Sequence, residues 1–192
     1  MKKFLLLVVL FLINQLHPYE NEIDLLSLYK DLHANPELSY QEFETSEKLA
    51  NLLESIGFEV TRNVGGNGVV ALLKNGNGKN IMFRADMDGL PVEEKTGARY
   101  ASQKKVTNLD GEEVFTMHAC GHDVHMTVLI GVAEYLFENK SEWQGNLILV
   151  LEPAEEVSGG ARNMIKDGLF KRFPRPDYNL ASVSYTHLRA HE

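Results

Sequence analysis

The chain has 192 residues, of which 44% are hydrophobic and 24% charged, and a formal net charge of −8. That is the balance of an ordinary globular protein, and the length suits one domain with at most a small appendage. The acidic excess, with no Lys/Arg cluster, excludes nucleic acid as the expected partner, and the single cysteine excludes an internal disulfide framework.

The chain opens with "MKKFLLLVVLFLIN", two lysines followed by an unbroken apolar run from Phe4 to Ile13. That run suits the core of a signal peptide and is too short for a stable membrane span. Residues 1–18 are therefore expected to be an export segment, periplasmic or extracellular in a bacterium. No A-x-A site marks the cleavage point, and no lipobox cysteine follows.

Glu22 to His33 is predicted as a helix, with Ile23, Leu25, Leu26, Leu28, Tyr29 and Leu32 on a broad apolar face. Pro36 disfavours helix at Asn35. A second helix is predicted from about Tyr40 to Ile56, carrying Phe43, Leu49, Leu52 and Leu53, with Gly57 as its stop. Three strand candidates follow, "FEVTRN", "GVVALLKNG" and "NIMFRADMD", punctuated by Asn-Gly pairs. Gly89 to Met117 is a polar connection without periodicity. A helix is predicted after Asp123, where Met126, Leu129, Ile130, Val132, Ala133, Leu136 and Phe137 have the spacing of a buried face. Leu147 to Leu151 is a continuous apolar run, as in a strand covered on both faces. "SGGARNMIKDGLF" is a glycine-rich entry to a helix. Strands alternating with helices predict an α/β domain with a largely parallel sheet.

Three polar clusters fall at strand ends or helix starts, where open α/β sheets bind ligands. "HACGHD" places Cys120 and His122 either side of Gly121. Thiolate and imidazole suit zinc or another late transition metal, and Asp123 could orient a ligating imidazole. "EPAEE" places Glu155 and Glu156 just past Pro153, which ends strand pairing. Adjacent carboxylates in such a loop can divide the work between metal ligation and general-base catalysis. "RADMD" offers Asp86 and Asp88, which would share one face of a strand. Each cluster taken singly also reads as ordinary structure: a surface or core histidine, two solvated acids, a polar strand end. A thiol hydrolase with Cys120 as nucleophile and His122 or His118 as base is a second reading. A noncatalytic metal-binding module is a third.

Taken together, "FRADMDGLPVEEKTG", "MHACGHDVHMTVLIGVA" and "EPAEEVSGGARNMIKDGLF" resemble the metal-dependent amidohydrolases that include hippurate hydrolase, N-acyl-amino-acid amidohydrolases and the plant auxin-conjugate hydrolases. "LHANPELSYQEFETSEKLANLLESIGFEV" resembles the same family's amino-terminal region, so the likeness covers most of Leu25 to Tyr178. It implies a zinc-peptidase-like α/β catalytic domain with a smaller lid or dimerisation domain inserted in it. It implies two divalent ions (zinc, manganese, nickel or cobalt), with Cys120, His122 and Glu156 as ligands, Glu155 as general base and two further histidine ligands downstream. Asp86, Asp88, Asp123, His118 and His125 become partners behind the ligands or substrate-facing residues. The implied reaction is hydrolysis of the amide of an N-acyl amino acid, with dipeptides as alternative substrates and a homodimer through the inserted domain. Two departures stand out. Glu152 replaces the family's usual Gln, and the segment between Tyr100 and Met117 is longer than in many relatives.

"VSYTHLRAHE", residues 183–192, fits nothing before it and reads like one translated frame of a sequencing-library adaptor. On that reading 21–182 is the amino-terminal part of a catalytic domain truncated before the lid, and the chain by itself is expected to be inactive.

Overall fold

The structure, a computed structural model, describes residues 23–184. The export segment expected at 1–18 and the tail from residue 185 lie outside the described residues.

Helix α1, Leu25–Ala34, starts where the Asp24 carboxylate accepts the Ser27 amide N–H at 2.9 Å, satisfying a free donor of the first turn. Helix α2 spans Phe43–Ile56, beginning later than the pattern suggested. Its first turn is capped from a distance: the Glu37 carboxylate accepts the N–H groups of Glu44 at 3.2 Å and Thr45 at 2.8 Å. Gly57 ends it in the left-handed region at φ 115°. Strands β1, Glu59–Thr61, and β2, Val69–Asn75, form a hairpin, and β3 runs Lys79–Asp86. The polar connection after β3 is not shapeless. It contains a separate hairpin of β4, Lys105–Thr107, and β5, Glu113–Phe115, too short to leave a periodic signature. Helix α3, His122–Glu138, starts at His122, one residue before Asp123. Strand β6, Gly145–Glu152, helix α4, Gly160–Lys166, helix α5, Leu169–Arg172, and strand β7, Tyr178–Ala181, complete the order.

The main sheet has the order β1-β2-β6-β3-β7. β6, β3 and β7 are mutually parallel, and β1 points the same way because β2 is antiparallel to both of its neighbours. The sheet is therefore largely parallel, with β2 alone reversed. The run Leu147–Leu151 explains its position at the centre. Leu147, Leu149 and Leu151 face the core under α1, α2 and α3, while Ile148 and Val150 face a second core with Met164 of α4 and Leu169 of α5. Burying both faces at roughly 1.5–3 kcal/mol per large apolar side chain makes an exposed position for β6 untenable. Among the described residues no helix is long and apolar enough to cross a membrane.

This three-layer arrangement positions the site. β3 and β6 lie side by side with Asp86 opposite Glu152, and both then run into loops. Those loops carry Asp88 and the Glu155–Glu156 pair, and α3 begins at the same carboxyl edge of the sheet.

Candidate metal centre

Three elements bring the candidate residues together. Cys120 ends the approach to α3, and Gly121 turns into it at φ 79°, a conformation open to glycine without strain. His122 is thereby thrust onto the end of β3. Its Nδ1 lies 2.8 Å from the main-chain oxygen of Asp88. A carbonyl only accepts, so Nδ1 carries a proton, and Nε2 is the nitrogen turned toward the carboxylates. That Nε2 lies 3.7 Å from Glu155 Oε2, 3.9 Å from Asp86 Oδ2 and 4.0 Å from Glu156 Oε1.

The ligating atoms of Cys120, His122 and Glu156 all lie within 4.8 Å of one another. Asp86, His122 and His125 form a second such group, sharing His122. Two bonds of about 2.0–2.3 Å to one ion reach at most about 4.6 Å between ligands, so these atoms stand at or close to ligating separation. Glu156 Oε1 and His125 Nδ1 are buried without hydrogen-bond partners among the described residues, and Asp86 Oδ1 meets only the Arg84 guanidinium, at 3.1 Å. Orphaned donor atoms around an imidazole and a thiol fit a soft or borderline divalent cation.

The electrostatics agree. Asp86, Asp88, Glu152, Glu155 and Glu156 converge here, with Arg84 as the neighbouring permanent cation: its guanidinium pairs with Glu152 and lies 3.1 Å from Asp86. Burial raises the Asp86 carboxyl to about 7, although Arg84 pulls it down. Burial also lifts the Cys120 thiol to about 11, helped by the negative charges of Glu156 and Glu155. For His122 burial opposes the charged form, yet the Asp88 hydrogen bonds and the Asp86 charge outweigh it and raise the imidazole to about 9. Burial takes His118 down to about 4, and both of its ring nitrogens lack partners among the described residues.

Asp88 is fully buried and holds more than the imidazole. Its Oδ1 accepts the Glu155 N–H at 3.1 Å; its Oδ2 accepts the Glu156 N–H at 3.1 Å and the Ser39 hydroxyl at 2.6 Å. Asp86 and Asp88 do not share a strand face, since β3 ends at Asp86, but both approach His122. The expectation that Asp123 orients a ligating imidazole is corrected. Asp123 Oδ2 bonds Nδ1 of His33 at 2.6 Å, and the backbone of Asp88 orients His122 instead. As the second residue of α3, Asp123 points away from His122 by the helical rotation of about 100° per residue. Glu152 does not add free charge to the site either, because Arg84 pairs with it and its Oε1 accepts the Ala161 N–H at 2.8 Å. His125 Nε2 meets Ser184 Oγ at 2.8 Å.

Some residues that shape the site gave no sequence signal. His33 bridges Asp123 and, at 3.0 Å, Glu94. Glu42 is buried against the Glu155–Glu156 loop. His33 lies in the last turn of α1 and Glu42 immediately before α2, and only the partner identifies each. The longer segment after Tyr100 also acquires a place. Asn108 and Leu109, at the tip of its hairpin, line a cleft of about 230 Å³ with Leu38, Tyr40, Leu90 and Glu156.

A model of peptidase family M20/M25/M40 matches residues 82–189. Hippurate hydrolase of Campylobacter jejuni is 46% identical over 74% of this chain and 34% of its own length. N-acetyl-L-cysteine deacetylase of Bacillus subtilis is 40% identical over 77% of this chain and 33% of its own. A Bacillus subtilis crystal structure, described as a dinuclear metal-binding peptidase of the M20 family, superposes with a TM-score of 0.67 at 36% identity, covering 76% of this chain and 39% of that one. The chain thus spans about a third of the length of the curated relatives it matches.

Proposed function

The chain belongs to peptidase family M20/M25/M40, and on that premise we propose that it forms part of a metal-dependent hydrolase acting on the amide bond of N-acyl amino acids. The observation that carries the reading is the convergence of Cys120, His122 and Glu156 donor atoms within 4.8 Å, beside the free carboxylate of Glu155. The names of the similar hippurate hydrolase and N-acetyl-L-cysteine deacetylase support the substrate class, and the dinuclear neighbour supports two ions; zinc, manganese, nickel or cobalt suit the thiol and imidazole donors.

In this reading Cys120, His122 and Glu156 hold one of the ions. When bound, such ions polarise the amide carbonyl and acidify a water molecule. Glu155, whose side chain is 38% exposed, stands where it can take the proton of the attacking water and deliver a proton to the departing nitrogen. Water adds to the carbonyl carbon, the C–N bond breaks, and a carboxylic acid and a free amino acid leave. Asp88 fixes both partners of this step, His122 through its main chain and the Glu155 amide through its side chain. A thiol-nucleophile reading is disfavoured by the carboxylates that surround Cys120, since an activated thiolate needs positive neighbours. Export rests on the Lys2-Lys3 and Phe4–Ile13 pattern.

The test is Glu155→Gln in the longer protein of which this chain is proposed to form part, purified and assayed on N-acyl amino acids with metal content measured alongside. Turnover is expected to fall about 10²–10⁴-fold with the ions retained. Unchanged turnover, or a protein that takes up no divalent ion, would overturn the reading.

A further inference from the structure

Glu42 belongs to none of the three motifs, yet its side chain is fully buried, at 0% exposure. One oxygen, Oε1, accepts the Ala154 N–H at 2.7 Å and the Tyr40 N–H at 3.0 Å. The other, Oε2, accepts the Asn67 side-chain amide at 3.0 Å. Ala154 and Tyr40 both occupy the left-handed region, at φ 48° and 67°. A residue with a Cβ stays there only when its surroundings over-determine it. Here one carboxylate oxygen secures both strained residues, one before α2 and one in the loop after β6.

The loop is then fastened amide by amide. Ala154 N–H goes to Glu42, and the next two N–H groups, of Glu155 and Glu156, go to Asp88. Behind them the Ala154 carbonyl accepts the N–H groups of Gly159 at 3.0 Å and Gly160 at 3.2 Å, closing the turn. Glu156 follows Ala154 by two residues. A rotation of Ala154 out of the left-handed region would carry Glu156 by ångströms, since each residue spans about 3.8 Å. Metal–ligand bonds tolerate only about ±0.2 Å.

We propose that Glu42 is a positioning residue for the candidate metal centre: by holding the Ala154 N–H it fixes the turn that aims the Glu156 carboxylate at Cys120 and His122. The inference rests on the reading of that centre as a metal site. Among the described residues Glu42 makes no hydrogen bond to a proposed ligand, and it acts through the backbone of the loop.

Three variants separate positioning from bulk stability. Glu42→Asp keeps the charge but is one methylene too short to reach Ala154. Glu42→Gln keeps Oε1 as an acceptor, and Asn67 can turn its amide to meet the new donor. Asn67→Ala removes only the partner of Oε2. The first readout is Co²⁺ titration of the purified chain, following the thiolate-to-cobalt absorption of Cys120. The second, made without metal, is hydrogen exchange at the amides of Ala154, Glu155 and Glu156.

Glu42→Asp is expected to weaken Co²⁺ binding by on the order of 10-fold or more, as loss of an outer partner of a metal site does. It is also expected to speed exchange at all three amides, including the two that Glu42 does not touch. Glu42→Gln is expected to restore both readouts to near the unsubstituted chain. Asn67→Ala is expected to lower the unfolding midpoint while leaving Co²⁺ affinity within about threefold, a change too small for loss of a positioning partner. Unaltered Co²⁺ affinity in Glu42→Asp would overturn the inference while leaving the metal reading intact. If the unsubstituted chain gives no thiolate absorption, the metal reading fails and this inference fails with it, whatever the exchange rates show.

Discussion

The main-chain oxygen of Asp88 receives the Nδ1 proton of His122 at 2.8 Å, so one residue of the β3 loop selects the tautomer of the histidine that faces Glu155 and Glu156. The Asp88 side chain meanwhile accepts the amides of those two glutamates. Replacing Asp88 by Asn keeps the backbone contact to His122 but turns one acceptor into a donor, setting an N–H against an N–H. A buried donor left unpaired costs roughly 1–3 kcal/mol. Asp88→Asn is therefore expected to lower stability by about that amount and to weaken divalent-ion binding about 10–100-fold. Titration calorimetry with Zn²⁺ or Mn²⁺ measures the second effect. An unchanged affinity would mean that the carboxylate does not shape the loop.

His33 lies between two carboxylates, 2.6 Å from Asp123 and 3.0 Å from Glu94. Burial opposes its protonation, but the bonds to Glu94 and Asp123 prevail and raise its pKa above 6.5. Burial likewise opposes the Glu94 charge, while Thr96, His33 and the Ser102 amide hold its pKa below 4.5. The signs follow from linkage. The His33 contribution is complete below pH 6.5 and is lost as pH rises through the elevated folded value. The Glu94 contribution is complete above pH 4.5 and is lost as pH falls through the depressed one. Removing one partner of a buried pair costs about 3–5 kcal/mol. His33→Gln is expected to cost that much in urea unfolding at about pH 5.5, inside the window where both groups are charged, and distinctly less at about pH 8.5. Equal losses at both values would show that His33 does not change its charge between them.

The glycines after Glu156 are required by proximity. A Cβ on Gly160 would lie 1.6 Å from the carbonyl oxygen of Pro153, and one on Gly159 would lie 1.7 Å from the Tyr40 hydroxyl. In an ordinary helix Gly→Ala gains about 1 kcal/mol. At Gly160, the first residue of α4, the sign is expected to reverse, with a loss of roughly 1–3 kcal/mol from overpacking. Because the obstructing atom belongs to the site loop, Gly160→Ala is also expected to weaken divalent-ion binding. A variant more stable than the parent in thermal unfolding would show that the loop can yield.

Much of the fold follows from local pattern. The apolar spacing of Leu49 and Leu53 marks α2, Gly57 stops it, and the run Leu147–Leu151 has the pattern expected of a strand buried on both faces. The three ordered motifs also bring Cys120, His122, Glu155 and Glu156 into view, through their joint resemblance to a family, since each cluster taken singly also reads as ordinary structure. The short hairpin of β4 and β5 escapes such reading, since three-residue strands hold too little alternation to be distinguished from loop.

What the linear chain determines is which side chains are present and how each segment folds, because periodicity, caps and breakers act over a few residues. What the tertiary structure decides is pairing: that Asp123 serves His33 and not His122, that Asp88 orients the imidazole with its backbone, and that Glu42 holds Ala154 from 112 residues away. A hydrogen bond or an ion pair depends on a separation of about 3 Å in space. Only the stacking of helices on the sheet, driven by burial of its two apolar faces, brings residues so far apart in sequence to that distance.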